Sequence, residues 1–229
     1  MAAATFSCPT VNRHCLVIGL VGVLLAGPAL ATTAAGPLVA EQQASAQRLQ
    51  QRLAAADGVV AGFTQVLIDS YGRMLETSEG RFWLAKPRLK WETLAPFPQT
   101  ITVDAARIRI FDPDLEQVTE RAVADEANQA PLLLLTQGDV ADAFLVSSLD
   151  AEAGADEVAE AFRLRPRSDE VLFEHIDVTF SERAIREIRI VDHAGQQTVI
   201  AFRDMTLGVT IEQGTLELDV PAGTDIVQG

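Results

Sequence analysis

From Val59 onward the apolar positions of this chain recur at every second residue. The pattern runs through Ile101 and Val103; Ile108 and Ile110; Ile176, Val178 and Phe180; Ile188 and Ile190; Ile200 and Phe202; Leu207, Val209 and Ile211; and Leu216, Leu218 and Val220. A period of two puts one set of side chains on one face, so these segments predict half-buried antiparallel strands. Turn residues separate them at Ser70-Tyr71-Gly72, Asp112-Pro113-Asp114, Asp192 to Gly195, Gln213-Gly214 and Pro221 to Gly223. A meander of this kind predicts one large curved sheet.

Two segments break the period. Over Glu41–Ala56, Leu49 and Leu53 stand four apart with Ala46 and Ala56 on the same side, while five glutamines fall largely elsewhere. This predicts one amphipathic helix that covers an apolar surface and ends at Asp57-Gly58. In Asn128 to Gly138, Asn128 suits a cap, Pro131 a first turn and Gly138 a stop, predicting a short helix around Leu132, Leu133, Leu134 and Leu135. Asp139–Phe144 extends the helical structure, and Ala151–Ala161 reads as an acidic, alanine-rich loop or edge. A bent sheet has a concave side, and two helices resting on it would close an apolar pocket.

The N-terminal residues have a separate character. Arg13 and His14 precede the apolar run Leu16 to Ala26, and Ala29-Leu30-Ala31 offers small residues for cleavage. The run is about half the roughly 20 residues of a spanning helix. It predicts a secretory signal peptide over 1–31, a flexible leader over 32–40, and one domain over 41–229. Cleavage after Ala31 removes both Cys8 and Cys15, leaving neither disulfide nor thiolate site, and no cysteine stands where a lipid would be attached.

Charge and missing motifs narrow the function. The 229 residues carry a formal charge of −14, the opposite of the basic footprint that nucleic acid requires. Stable membrane insertion is not expected either, and a surface so far from neutrality favours a monomer. No nucleophile motif, phosphate loop or dinucleotide fingerprint occurs. His175 alternates with Ile176 and His193 falls in a turn, so both are expected in solvent. Asp112, Asp114 and Glu116 resemble oxygen ligands, but the loop lacks the glycine and distal glutamate of a calcium loop and reads as turn chemistry. The expectation is a non-enzyme without metal or cofactor.

Several fragments then occur in a family order: Phe63-Thr64-Gln65, Tyr71-Gly72, Gly80-Arg81-Phe82-Trp83, Lys86-Pro87, Trp91, Pro96-Phe97-Pro98, Phe111 to Val118 (FDPDLEQV), Pro131 to Leu135, Asp192 to Gln196 and Pro221 to Gly223. From about Glu41 to the C-terminus the chain resembles LolA, the periplasmic carriers that take lipoproteins from the inner to the outer membrane of Gram-negative bacteria. The resemblance implies an α+β fold: an unclosed, strongly curved antiparallel β half-barrel with an α-helical lid over an apolar cavity for acyl chains. It also implies a periplasmic location, loading by the ATP-driven inner-membrane complex LolCDE, and delivery to the outer-membrane acceptor LolB.

On this reading Phe63, Trp83, Trp91, Ile108, Ile110, Leu132, Leu133 and Leu135 are the candidates for the cavity lining, each equally readable as plain core. The family usually has Arg-Pro, whose arginine holds backbone carbonyls of the lid; here Lys86-Pro87 stands instead, with carbonyls near Leu53 and Leu135 as its expected acceptors. A lysine is a mobile point donor rather than a planar fork. The spacing from Pro87 to Trp91 is one residue shorter than usual, which puts Leu89 near the family's aromatic position. Four alternatives stay open: a lipoprotein-sensing regulatory module of the same fold, the acceptor itself, a carrier of another lipid or acylated molecule, and an enzyme.

Overall fold

The computed structural model describes residues 36–123, 134–136, 140–150, 159–182 and 184–229. Helix α1 spans Pro37–Ala55, beginning inside the segment expected as leader. Pro37 stands at its first turn, where the missing N–H costs nothing and the ring's fixed φ suits the helix. Leu49 and Leu53 are buried at 0% and 4% exposure, as the four-residue spacing requires, with Ala46 and Ala56 beside them.

The strands are β1 (Val59–Ile68), β2 (Met74–Ala85), β3 (Arg88–Ala95), β4 (Gln99–Val103), β5 (Arg107–Asp112), β6 (Gln117–Ala122), β7 (Phe144–Leu149), β8 (Ala159–Pro166), β9 (Phe173–Ser181), β10 (Ala184–Asp192), β11 (Gln197–Thr206) and β12 (Asp225–Gln228). They form one sheet in the order β12-β6-β5-β4-β3-β2-β1-β11-β10-β9-β8-β7. Every pairing is antiparallel except β12 with β6, which is parallel. Leu134–Thr136 are helical, and the rest of the helix expected over 128–138, including Leu132 and Leu133, lies outside the described residues. A short helix α2, Val140–Ala143, follows and leads into β7.

The sheet's curvature follows from how α1 is tied. Ser45 Oγ lies 3.0 Å from Ser148 Oγ on β7, while the carbonyl of Leu53 accepts a hydrogen bond from Lys86 Nζ in the β2–β3 turn. Eight helical residues advance only about 12 Å. Six strand spacings separate β2 from β7, about 29 Å in a flat sheet. The sheet must curl for one helix to reach both.

Two expected strands are absent. Residues 207–212 and 217–224 carry alternating apolar positions without a ladder, and Gln213–Leu216 forms a 3₁₀ turn. The alternation is real, since Leu207, Val209 and Ile211 are half-buried between exposed neighbours. It arises because an extended strap lies along a surface: Gly208 and Val209 donate to the carbonyls of Asp57 and Gly58, and Leu216 is buried. Period two reports one covered side, not a paired edge. Conversely, β7 and β8 lie partly in segments expected as a helical extension and an acidic loop, although Phe144 with Val146 and Phe162 with Leu164 alternate into the core.

Candidate functional site

Register places the side chains of the concave face in rows. One row runs Ala61, Phe82, Trp91, Ile101, Ile110 across five strands, and the next runs Val59, Leu84, Leu89, Val103, Ile108. On the other side of β1, Phe63 is opposite Phe202, and Phe162, Val178, Ile188 and Ile200 continue across β8 to β11. Leu49 and Leu53 of α1, with Leu134 and Leu135, join the same buried cluster. The site is an apolar face of one sheet with a helix resting on it.

Its centre is aromatic. The rings of Phe63 and Trp91 stack at 3.9 Å between centroids, Phe82 lies 6.0 Å from Trp91 and 5.5 Å from Phe202, and Trp91 meets Phe202 edge-on at 84°. Burial here excludes water, and the side chains at this centre offer apolar contact.

The candidate residues divide. Phe63, Trp91, Ile108, Ile110 and Leu135 are brought together on this face or against it, with Ile110 packed at its margin. Trp83 is not among them: it alternates with Phe82 and Leu84 and stands on the opposite face, half-buried, with Lys90 Nζ 5.8 Å from its ring centroid. Phe82 holds the inward place, because pairing of Phe82 with Trp91 and Ala61 fixes the parity of β2. Leu132 and Leu133 lie outside the described residues. Phe82, Phe202, Leu84 and Leu89 are not among the expected lining residues, although Phe202 stands in an alternating pair and Leu89 near the family's aromatic position; for Phe82 and Leu84 the period-two alternation of β2 is the available signal. Leu89 and Trp91 both face inward, so the short spacing after Pro87 leaves the register of β3 intact.

Lys86 ties the C-terminal end of α1 to the β2–β3 turn. Its backbone N–H donates to Asp57 Oδ1 at 3.0 Å and its ammonium to the Leu53 carbonyl, with no hydrogen bond to Leu135 among the described residues. Burial pushes the ammonium below the ordinary lysine range, with the Asp57 carboxylate acting in the opposite direction. Arg52 fastens the helix on its other side, donating to Glu160 Oε2 at 2.9 Å and to the Glu182 carbonyl, with its guanidinium 5.3 Å from the Phe180 ring centroid. Gln50 Oε1 accepts from the N–H of Val140 and so fixes α2 to α1.

The polar candidates have local roles. Asp112 Oδ1 accepts the N–H groups of Asp114 and Leu115, closing its own turn. His175, expected in solvent, is buried at 9% exposure, and its Nδ1 has no hydrogen bond. The face opposite the core is here covered by a charged layer, in which Arg163 makes two 2.7 Å hydrogen bonds to Asp177 beside the imidazole. His193 is exposed, as its turn position predicts, with Nε2 3.0 Å from the Val171 carbonyl. Among the described residues no helix is long and apolar enough to cross a membrane.

Comparison with known proteins identifies the family. The family model described as outer membrane lipoprotein carrier protein LolA matches residues 54–217. An outer-membrane lipoprotein carrier protein of Chromohalobacter salexigens is 34% identical over 87% of this chain and 95% of its own length. Its counterpart in Alcanivorax borkumensis is 36% identical over 77% of this chain and 84% of its own. The solved structure of an uncharacterized conserved protein from Thermus thermophilus superposes with a TM-score of 0.53, covering 81% of this chain and 99% of that one at 10% identity. By the extent of the family match and the identity to these carriers, the chain belongs to the outer membrane lipoprotein carrier protein LolA family.

Proposed function

We propose that this protein is a periplasmic lipoprotein carrier that shelters acyl chains between the concave face of its sheet and a helical lid that includes α1. The observation that carries the reading is the pair of apolar rows spanning β1 to β5 beneath Leu49 and Leu53. Each methylene taken from water contributes roughly 0.8 kcal/mol, so partial enclosure of long acyl chains holds cargo tightly without any polar site. Phe63, Phe82, Trp91, Ile108, Ile110 and Leu135 would then touch acyl chains once the lid lifts.

Opening needs the ties of α1 to release. Lys86 to Leu53 and Arg52 to Glu160 are exchanged for water at modest cost, because each is partly exposed. The cycle we assign is loading from the LolCDE complex, diffusion as a soluble complex, and delivery to LolB, with residues 1–31 acting as the export signal. No bond in the cargo is made or broken by the carrier, so the residues needed are apolar contacts and latches.

The test is release of a radiolabelled triacylated lipoprotein from inner-membrane vesicles by purified protein. The expected result is a soluble one-to-one complex. Lipoprotein that stays in the membrane fraction at saturating protein, with correctly folded carrier, would sink the reading.

A further inference from the structure

The convex face carries a second site of a different kind. A cleft of about 390 Å³ lies between β3–β5 and the C-terminal strap, lined by Arg88, Thr102, Asp104, Arg109, Leu216 and Leu218 among others. Thr102 pairs across the ladder with Lys90 on one side and Arg109 on the other, and Arg88 lines the same cleft, so three cations lie near one hydroxyl in a protein of net charge −14.

These groups are unevenly occupied. Asp104 is turned into its own loop, where Oδ1 accepts the N–H groups of Ala106 and Arg107 at 2.8 Å each. Glu217 is exposed on the strap. Arg88 gives one donor, Nη2, to the Gln213 carbonyl at 3.0 Å. The Arg109 side chain makes no hydrogen bond among the described residues, with Glu120 its cross-strand neighbour on β6 and the Asp104 carboxylate attracting it. Thr102 is only 4% exposed, yet its Oγ1 has no hydrogen-bond partner. A buried hydroxyl without a partner is unusual and calls for an explanation.

We propose that this cleft binds a phosphate group. Guanidinium forks from β3 and β5 stand about 12 Å apart at their backbones, two strand spacings across and two residues along, with the Thr102 hydroxyl on the intervening β4. A tetrahedral anion accepts from two forks and a hydroxyl at once, which a planar carboxylate does less well. Leu216 and Leu218 roof the cleft, and their segment gives way to admit the ligand. The phosphate source is either free phosphate or a phospholipid headgroup, and both present the same oxygens.

The experiment is a titration of ¹⁵N-labelled protein, at ionic strength held constant with chloride, with inorganic phosphate in one arm and monomeric dihexanoyl phosphatidylglycerol in the other. Saturable shifts confined to the amides around Thr102, Arg109 and Leu216 in either arm support the site, and the arm that binds more tightly identifies the source. Arg109→Gln and Thr102→Val are each expected to weaken binding at least about tenfold. Thr102→Val is also expected to leave the Tm of the free protein unchanged or raised, since it removes an unpartnered hydroxyl. Shifts no different from those in chloride, or wild-type affinity in either variant, overturn the proposal.

Discussion

The ring of Phe63 occupies the space that a side chain at Gly80 would need. A Cβ built on Gly80 would stand 2.6 Å from Phe63 Cζ, and nearer still to the Glu92 carbonyl oxygen. The two residues are register partners on β1 and β2, so the missing side chain of one seats the ring of the other against Trp91.

Gly80→Ala is therefore expected to destabilise the protein by about 1–3 kcal/mol, through displacement of the ring and local opening of the β2–β3 ladder. Urea unfolding checks this as a lower midpoint at unchanged slope. An unchanged midpoint would mean that the ring and the strands move aside freely.

Lys86 gives a pH signature. Burial lowers its pKa in the folded chain, so between that value and the ordinary lysine value the unfolded chain binds more protons, and stability rises with pH across the window. Wild type is expected to gain stability relative to Lys86→Leu on going from about pH 8 to about pH 10, with both followed by urea unfolding. In the transfer assay, Lys86→Leu is expected to slow lipoprotein delivery with an unchanged circular dichroism spectrum, while Lys86→Arg keeps it. Equal pH dependence in wild type and Lys86→Leu would remove the ammonium from the packed end of α1.

How much of this was legible beforehand depends on whether a local pattern or a distant partner decided the outcome. Leu49 and Leu53 announced the buried side of α1 by spacing alone. Ile101 with Val103 and Ile108 with Ile110 announced β4 and β5. Trp83 was misplaced because Phe82 and Trp83 are adjacent large aromatics, and only their pairing with Trp91 and Lys90 decides which one faces inward. The strap over 207–224 shared the alternation of a strand, and its lack of a ladder depends on residues far away. Burial of His175 follows from the Arg163–Asp177 pair on β8 and β9, which no local pattern foretells. The family resemblance supplied the lid and the cargo, neither of which periodicity reaches.

The hold of α1 on β7 to β9 rests on few groups. Arg52→Ala removes the 2.9 Å pair with Glu160, the hydrogen bond to the Glu182 carbonyl and the contact with Phe180. The expected loss is about 1 kcal/mol, since the pair is partly solvated. Hydrogen exchange is the sharper readout: amides of α1 are expected to exchange faster while those of β1 and β2 do not. Uniform acceleration across the sheet would show instead that α1 and the sheet open as one unit.

The two tryptophans stand on opposite faces of adjacent strands and report on different surroundings. Trp91 lies inside, stacked on Phe63, whereas Trp83 lies outside beneath Lys90. If acyl chains enter between α1 and the concave face, they replace side-chain and lid contacts around Trp91 and leave Trp83 as it was. Titration with a triacylated lipopeptide is thus expected to change the emission of Trp83→Phe, in which only Trp91 remains, and to leave that of Trp91→Phe almost constant. The reverse result would place the cargo on the convex face. A response of equal size in both variants would indicate a change of the whole sheet rather than filling of one side.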